Sequence, residues 1–247
     1  AGQNSCGERC RAMTTPRRTY RWYAFLTGLF VTTLVTSNII AVKVVHVFGL
    51  VLPAAVILFP IAYLFGDVLT EVYGYAKARQ VIWTGFFCNL VAVVAIWIGG
   101  ALPAASFWSA GIFKTPETAQ NAYQAILGFT PRLLLASFTA YLVGEFLNSF
   151  VLARLKVRTR GRFLWLRTIS STLVGQGADS AIFITAAFWG IFSPGNIGMA
   201  ILSQWLFKVI YETLATPLTY LVVNALKKIE QEDYFDRDTN FSPFTSR

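Results

Sequence analysis

Charge is what this sequence has least of. Asp, Glu, Lys and Arg make up 13% of its 247 residues while apolar residues make up 55%, against roughly 25% charged in an ordinary soluble domain. A soluble fold would struggle to hide that much apolar surface. There is a single histidine, His46, and only three cysteines, two of them (Cys6 and Cys10) in a basic N-terminal stretch. That leaves no zinc-ligand set, no disulfide framework and little for a histidine general base, and the cysteines read as reduced and structural. No Walker motif or dinucleotide fingerprint is present, so neither a cofactor nor enzymatic chemistry is expected. The first 20 residues contain arginines but no apolar core, so they do not read as a secretory signal peptide.

What is present is a set of apolar runs, each about 20 residues long, which is the length of helix needed to cross a hydrocarbon core about 30 Å thick. The spans fall at roughly 22–43, 50–73, 80–100, 131–153, 168–191 and 198–224. The expected architecture is therefore all-α, a polytopic membrane protein of about six transmembrane helices. It divides into a basic tail (1–19), a six-helix transmembrane domain (20–228) and a polar C-terminal tail (229–247) expected to be disordered. Pro53, Pro60 and Pro217 are expected to kink their helices.

A formal net charge of +9 raises nucleic acid as a partner, and the placement of the charges argues against it. Arg17, Arg18 and Arg21 precede the first span, Lys77 and Arg79 follow the second, Arg154 to Arg167 supply six cations after the fourth, and Lys227 and Lys228 follow the last. These are alternate loops, the positive-inside pattern, which puts both termini in the cytoplasm; an inner membrane is the expected location. No basic aromatic module for nucleic acid is visible. Membrane lipids and a small molecule are the expected partners. On the outside fall Lys43 to Gly49, a longer segment 101–130 with a surface-lying or re-entrant element, and a tight turn at SPGN, Ser193 to Asn196.

Two spans carry similar strings, AYLFGDVLTE (Ala62 to Glu71) and AYLVGEFLNS (Ala140 to Ser149), with a shorter echo, STLVGQGADS, at Ser171 to Ser180. Each sets a glycine beside a carboxylate or amide and a second polar pair three or four residues on, so the polar groups share one helix face. Carboxylates inside a span cost roughly 2.5 to 3.5 kcal/mol each on insertion scales, and they normally face the protein interior and mark a pathway. The candidates for binding a small polar molecule are Asn38, Asp67, Glu71, Glu145, Asn148, Gln176, Asp179, Lys208 and Glu212, with Phe183 or Trp205 to stack on a ring.

Structural readings stand beside these. Lys208 and Glu212 are spaced to neutralise one another, Glu71 could sit at the interface near Lys77 and Arg79, and Lys208 could instead pair with Asp179 or Glu145 across helices. Gly66, Gly144, Gly175 and Gly177 read first as helix-packing positions, and a homodimer through such faces is compatible with the sequence. GQGAD is close to the GxGD motif of intramembrane aspartyl proteases, but its Asp comes one residue late, a turn of about 100° around the helix, so the protease reading fails.

From LFPIAYLFGDVLTEVYGYAKAR through PRLLLASFTAYLVGEFLNSFVLARLK and LRTISSTLVGQGADSAIFITAAFWG to FKVIYETLATPL, the chain resembles the bacterial queuosine precursor transporters, also called the vitamin uptake transporter family. The resemblance covers roughly 20–228. It implies uptake of 7-cyano-7-deazaguanine and 7-aminomethyl-7-deazaguanine, and an architecture similar to the six-helix S components of energy-coupling-factor transporters. The chain departs from the family in its long N-terminal tail and at Gln176, where the family carries an acidic residue or Asn. The guanine-like edge of such a substrate offers N1–H and a 2-amino group as adjacent donors, which one carboxylate, Asp179 or Glu145, can accept together. Asn148 and Gln176 would then reach the O6 or pyrrole side. Two modes of action remain: a stand-alone secondary carrier or facilitator, proton-linked through one of the same carboxylates, or an S component that works only with a separate membrane partner and ATPases for a different vitamin-like molecule. The first span, YAFLTGLFVTTLVTSNII, lacks a clear AxxxA docking motif, which favours the stand-alone carrier.

Overall fold

The computed structural model describes residues 20–47, 50–128 and 131–244. Seven α-helices run in chain order: α1 Tyr23–Ile40, α2 Phe59–Tyr73, α3 Tyr75–Ala101, α4 Pro116–Leu127, α5 Pro131–Arg158, α6 Leu164–Phe188 and α7 Pro194–Glu230. Among the described residues, helix long and apolar enough to cross a membrane occurs in four places: Tyr23–Ile40, Tyr75–Ala101, within Pro116–Arg158, and Pro194–Glu230. The polar residues of α6, Arg167, Gln176 and Asp179 among them, set it apart from those four.

The architecture is helical as expected, but the second expected span does not begin as helix. Val44–Val47 (β1) and Leu50–Pro53 (β2) form an antiparallel hairpin with Val45 opposite Leu52, and a 3-10 turn, Ala54–Ile57, leads into α2. Helix begins only at Phe59, with Pro60 in its first turn. Valine-rich segments favour extended backbone, and proline suits a helix start while opposing a helix interior. A continuous apolar run cannot by itself distinguish these states. The 15 residues of α2 reach about 22 Å, short of a ~30 Å hydrocarbon core. Pro53 therefore precedes α2 and Pro60 lies in its first turn, so neither sits in a helix interior where it was expected to kink it, whereas Pro217 lies inside α7. The SPGN segment likewise starts α7, with the Ser193 hydroxyl accepting from the Asn196 amide at 3.4 Å.

α2 packs against α1, α3, α5 and α7, α5 lies along α6, and α6 lies along α7. The α7 pattern is reversed from that of a soluble helix. Leu202, Leu206, Ile210, Leu214, Leu218 and Leu221 form an exposed stripe at helical spacing, while Lys208, Glu212, Thr216 and Thr219 are buried. Glycine sets the closest crossing, between α5 and α6. A Cβ added at Gly175 would stand 2.8 Å from the Gly144 carbonyl oxygen, and one added at Gly144 would stand 2.8 Å from the Asp179 Cβ. These glycines serve packing within the chain.

Segment 101–130 contains a short helix, α4, capped by Thr115. Tyr123 donates to the Ile96 carbonyl at 2.9 Å, and Gln120 and Gln124 both donate to that of Gly100. This holds α4 against the end of α3.

The C-terminal segment is the other correction: its described part docks instead of being disordered. Tyr234 N–H donates to the Val72 carbonyl at 3.2 Å, and the Asp236 carboxylate accepts from Tyr75 N–H at 3.0 Å. Arg79 donates to the carbonyls of Asn240 and Ser242, Trp83 donates to that of Pro243, and the Arg154 guanidinium lies 4.3 Å from the Phe241 ring centre. Gly74, between α2 and α3, adopts φ +83°, and a Cβ there would run into the Tyr234 ring, so glycine is required on both counts. Polar composition suggested disorder, but the tail carries Tyr234, Phe235, Phe241 and Phe244, and two helix ends offer them cations and carbonyls.

Asp233 anchors the start of this segment, 2.6 Å from Lys156 and 2.9 Å from Lys227. Partial burial pushes its carboxyl up, hydrogen bonds from Lys156 and Lys227 pull it down, and the net result lies below the usual carboxylate value. A depressed folded value means that its contribution is complete above the unfolded pKa, about 3.9, and is lost as pH falls through the lower folded value. The docked tail should therefore be insensitive to pH near neutrality and loosen in strong acid. The difference in tryptophan emission between the native chain and its Trp83→Phe variant should report this, and the acid transition should shrink in Asp233→Asn.

Candidate functional site

The ends of α2, α5 and α7 and the starts of α3 and α6 form a basic end of the bundle. In the opposite half lies a cavity of about 590 Å³, within the roughly 300–1,000 Å³ of small-molecule sites. It is lined by the later part of α1 (Phe30, Leu34, Ser37, Asn38), the early turns of α2 (Ala62, Tyr63), Asn89 of α3, the first half of α5 (Ser137 to Glu145), the second half of α6 (Gln176 to Phe188) and the first half of α7 (Ala200 to Lys208). Its walls are aromatic, with Phe30, Tyr63, Tyr141, Phe183, Phe188 and Phe207.

Several polar groups line this cavity. Lys208 on α7 donates to the Asp179 carboxylate on α6, an ion pair between helices. The alternative pairing of Lys208 with Glu212 on the same helix is not the one adopted. Glu145 stands opposite, its carboxylate in contact range of where a side chain at Gly66 would begin, 3.4 Å away. The small residue on α2 makes room for the acid on α5. Asn38 donates to the Asn89 side-chain oxygen at 3.0 Å, joining α1 to α3, and the Tyr141 hydroxyl donates to the Ile82 carbonyl at 3.0 Å.

Of the eleven candidates, Asn38, Glu145, Gln176, Asp179, Phe183 and Lys208 line the cavity. Asp67, Glu71, Asn148, Glu212 and Trp205 lie outside it. The similar strings explain the split. α2 and α5 run in the same sense and pack together, so Ala62 and Ala140, and Tyr63 and Tyr141, line the cavity from matching positions. One to two turns further along, Asn148 donates to Asp67 at 2.8 Å and Thr70 donates to Ser149 at 3.1 Å, both pairs buried. The Trp205 indole N–H donates to the Leu173 carbonyl at 3.0 Å instead of facing a substrate.

Glu71 belongs to a third level, at the basic end. Its carboxylate receives two hydrogen bonds from Arg167, at 2.7 and 3.3 Å, and one from Lys227 at 2.7 Å, with Lys156 at 3.6 Å. Lys156 also donates to the Glu71 and Tyr234 carbonyls. The expected neighbours Lys77 and Arg79 have other contacts: the Lys77 ammonium lies over the Tyr23 ring, and Arg79 holds the tail. Glu71 thus ties together α2, α5, α6 and α7.

Tyr63, Tyr141, Asn89 and Gln204 are cavity residues that the sequence reading did not single out. A signal existed for three of them: the tyrosines hold equivalent places in the two similar strings, and Asn89 is an amide deep within an apolar span.

A family model described as "Putative vitamin uptake transporter" matches residues 53–222. A protein of Bacillus subtilis (strain 168) named "Probable queuosine precursor transporter" is 32% identical over 86% of this chain and 84% of its own length. The Escherichia coli (strain K12) "Queuosine precursor transporter" is 28% identical over 70% of this chain and 72% of its own. A Haemophilus influenzae protein, also named "Probable queuosine precursor transporter", is 27% identical over 55% of this chain and 52% of its own. No solved structure matches. The family match spans well over half of the chain and takes in α2, α3, α5 and α6 whole and most of α7, five of the six helices that wall the cavity: the chain belongs to the vitamin uptake transporter family.

Proposed function

We propose that this chain imports queuosine precursors, 7-cyano-7-deazaguanine and 7-aminomethyl-7-deazaguanine, across a bacterial inner membrane as a stand-alone carrier. The observation that carries the reading is the cavity, with aromatic walls and Glu145, Lys208 and Asp179 in its lining, in a chain of this family. α6, and α2 with its hairpin, complete six crossings alongside the four apolar helical stretches. Lipid contacts the apolar stripe of α7. The basic end faces the cytoplasm, as the positive-inside rule requires, so the cavity belongs to the outer half and the Glu71 cluster with the docked tail closes the inner half.

Within the cavity Glu145 accepts the N1–H and 2-amino fork of the deazaguanine, because Asp179 is already engaged by Lys208. A carboxylate receiving two parallel N–H donors makes a strong, orienting contact. Lys208 and Gln176 are placed to donate toward O6, and Phe183 with the cavity tyrosines covers the ring faces.

The test is queuosine content of tRNA in a host unable to synthesise or import the precursors, expressing this chain alone and fed 7-cyano-7-deazaguanine at low concentration. Queuosine should be restored. None restored, with folded protein demonstrated in the membrane, overturns the proposal.

A further inference from the structure

We propose that Asp67 on α2 and Glu212 on α7 share one exchangeable proton, forming a proton-coupling site one level below the cavity. This rests on the carrier reading and deepens it by naming the coupling ion and the residues that hold it.

Both residues are 1% exposed, on helices that pack against one another. Asp67 has one oxygen bonded to the Asn148 amide; its other oxygen, and both oxygens of Glu212, are buried with no hydrogen-bond partner. The Glu212 carboxyl lies within electrostatic range of Asp67. Two such neighbours cannot both be ionised in a dry interior, and an isolated buried carboxylate costs several kcal/mol. A single proton resolves both problems: the O–H of one carboxyl donates to the other, leaving one negative charge oriented by Asn148.

Among the described residues, the charges around the pair have partners of their own. On α2, Glu71 is held by Arg167 and Lys227. On α7 and α6, Lys208 is paired with Asp179. α5 contributes Glu145, a further acid. α1 turns Leu26, Phe30, Thr33 and Ser37 inward, none titratable, and Arg79 of α3 is bonded to the tail. No group of three or more His, Cys, Asp or Glu suited to a metal ion occurs among the described residues. Gln176, which lines the cavity, and Asn148, which binds Asp67, each carry a buried amide oxygen with no hydrogen-bond partner. Acceptors for a hydrogen bond from a protonated carboxyl therefore exist at both levels.

Infrared difference spectra of the purified full chain at neutral pH test the proton without any substrate. A protonated-carboxyl C=O band, shifted by deuteration, should be present in the native chain and lost in Glu212→Gln. In proteoliposomes with the membrane potential clamped, an alkaline interior should drive accumulation of 7-cyano-7-deazaguanine by up to about tenfold per pH unit for one proton per substrate. Glu212→Gln should keep counterflow and lose this pH-driven accumulation. Absence of the band overturns the inference, as does native counterflow indifferent to the pH gradient or driven by sodium instead. Native protein that shows the band but no counterflow overturns the substrate reading and leaves the proton site standing.

Discussion

Membranes expressing Glu71→Ala should hold little folded protein, and what is recovered should melt well below the native chain. Glu71 accepts hydrogen bonds from Arg167 and Lys227 with Lys156 nearby, and Glu71, Arg167 and Lys156 are each at most 1% exposed. Removing the acid leaves these cations with only Asp233, itself partly exposed, to balance them. Breaking a buried ion pair from one side costs about 3–5 kcal/mol because the surviving charges remain buried and uncompensated. The measurement is fluorescence-detected size exclusion with a heating series. A native melting profile would mean that water reaches the cations and that Glu71 is not the tie between α2, α5, α6 and α7.

The second large effect falls on transport. Glu145→Gln should remain folded, since the amide is nearly isosteric, and should reduce uptake of 7-cyano-7-deazaguanine by about a hundredfold. Hydrogen bonds to a charged acceptor contribute roughly 1.5–3 kcal/mol each. Losing the charge and turning one oxygen into a donor against the substrate's own donors removes about 3 kcal/mol, a factor of about 100. Asp179→Asn should also lose uptake, by releasing Lys208 from its partner. The comparison is informative because the two acids have different roles: a native rate for Glu145→Gln with loss for Asp179→Asn would transfer the substrate fork to Asp179.

The apolar runs, their lengths and the alternate placement of cations are linear properties, because bilayer crossing depends on consecutive residues and not on which helix lies beside which. The membrane assignment and the positions of the long helices were therefore legible. So was the chemistry of the candidate site, since a carboxylate in an apolar run is conspicuous wherever the helix ends up. The fate of 44–58 was not legible, because hydropathy is the same for a buried strand and a buried helix.

Depth and partner choice were beyond the sequence as well. Asp67 and Glu145 occupy equivalent places in two similar strings, yet one lines the cavity and the other sits beneath it, bonded to Asn148. Lys208 had Glu212 one turn away and pairs instead with Asp179, twenty-nine residues back in the chain. The polar tail docks because Arg79, Trp83, Arg154 and Gly74 come together at the ends of different helices. The sequence by itself determined which residues are expensive to bury and on which helices they lie. Only the tertiary structure decided which of them share a level, because ion pairing and cavity lining depend on the rotation and offset of packed helices, which no single helix contains.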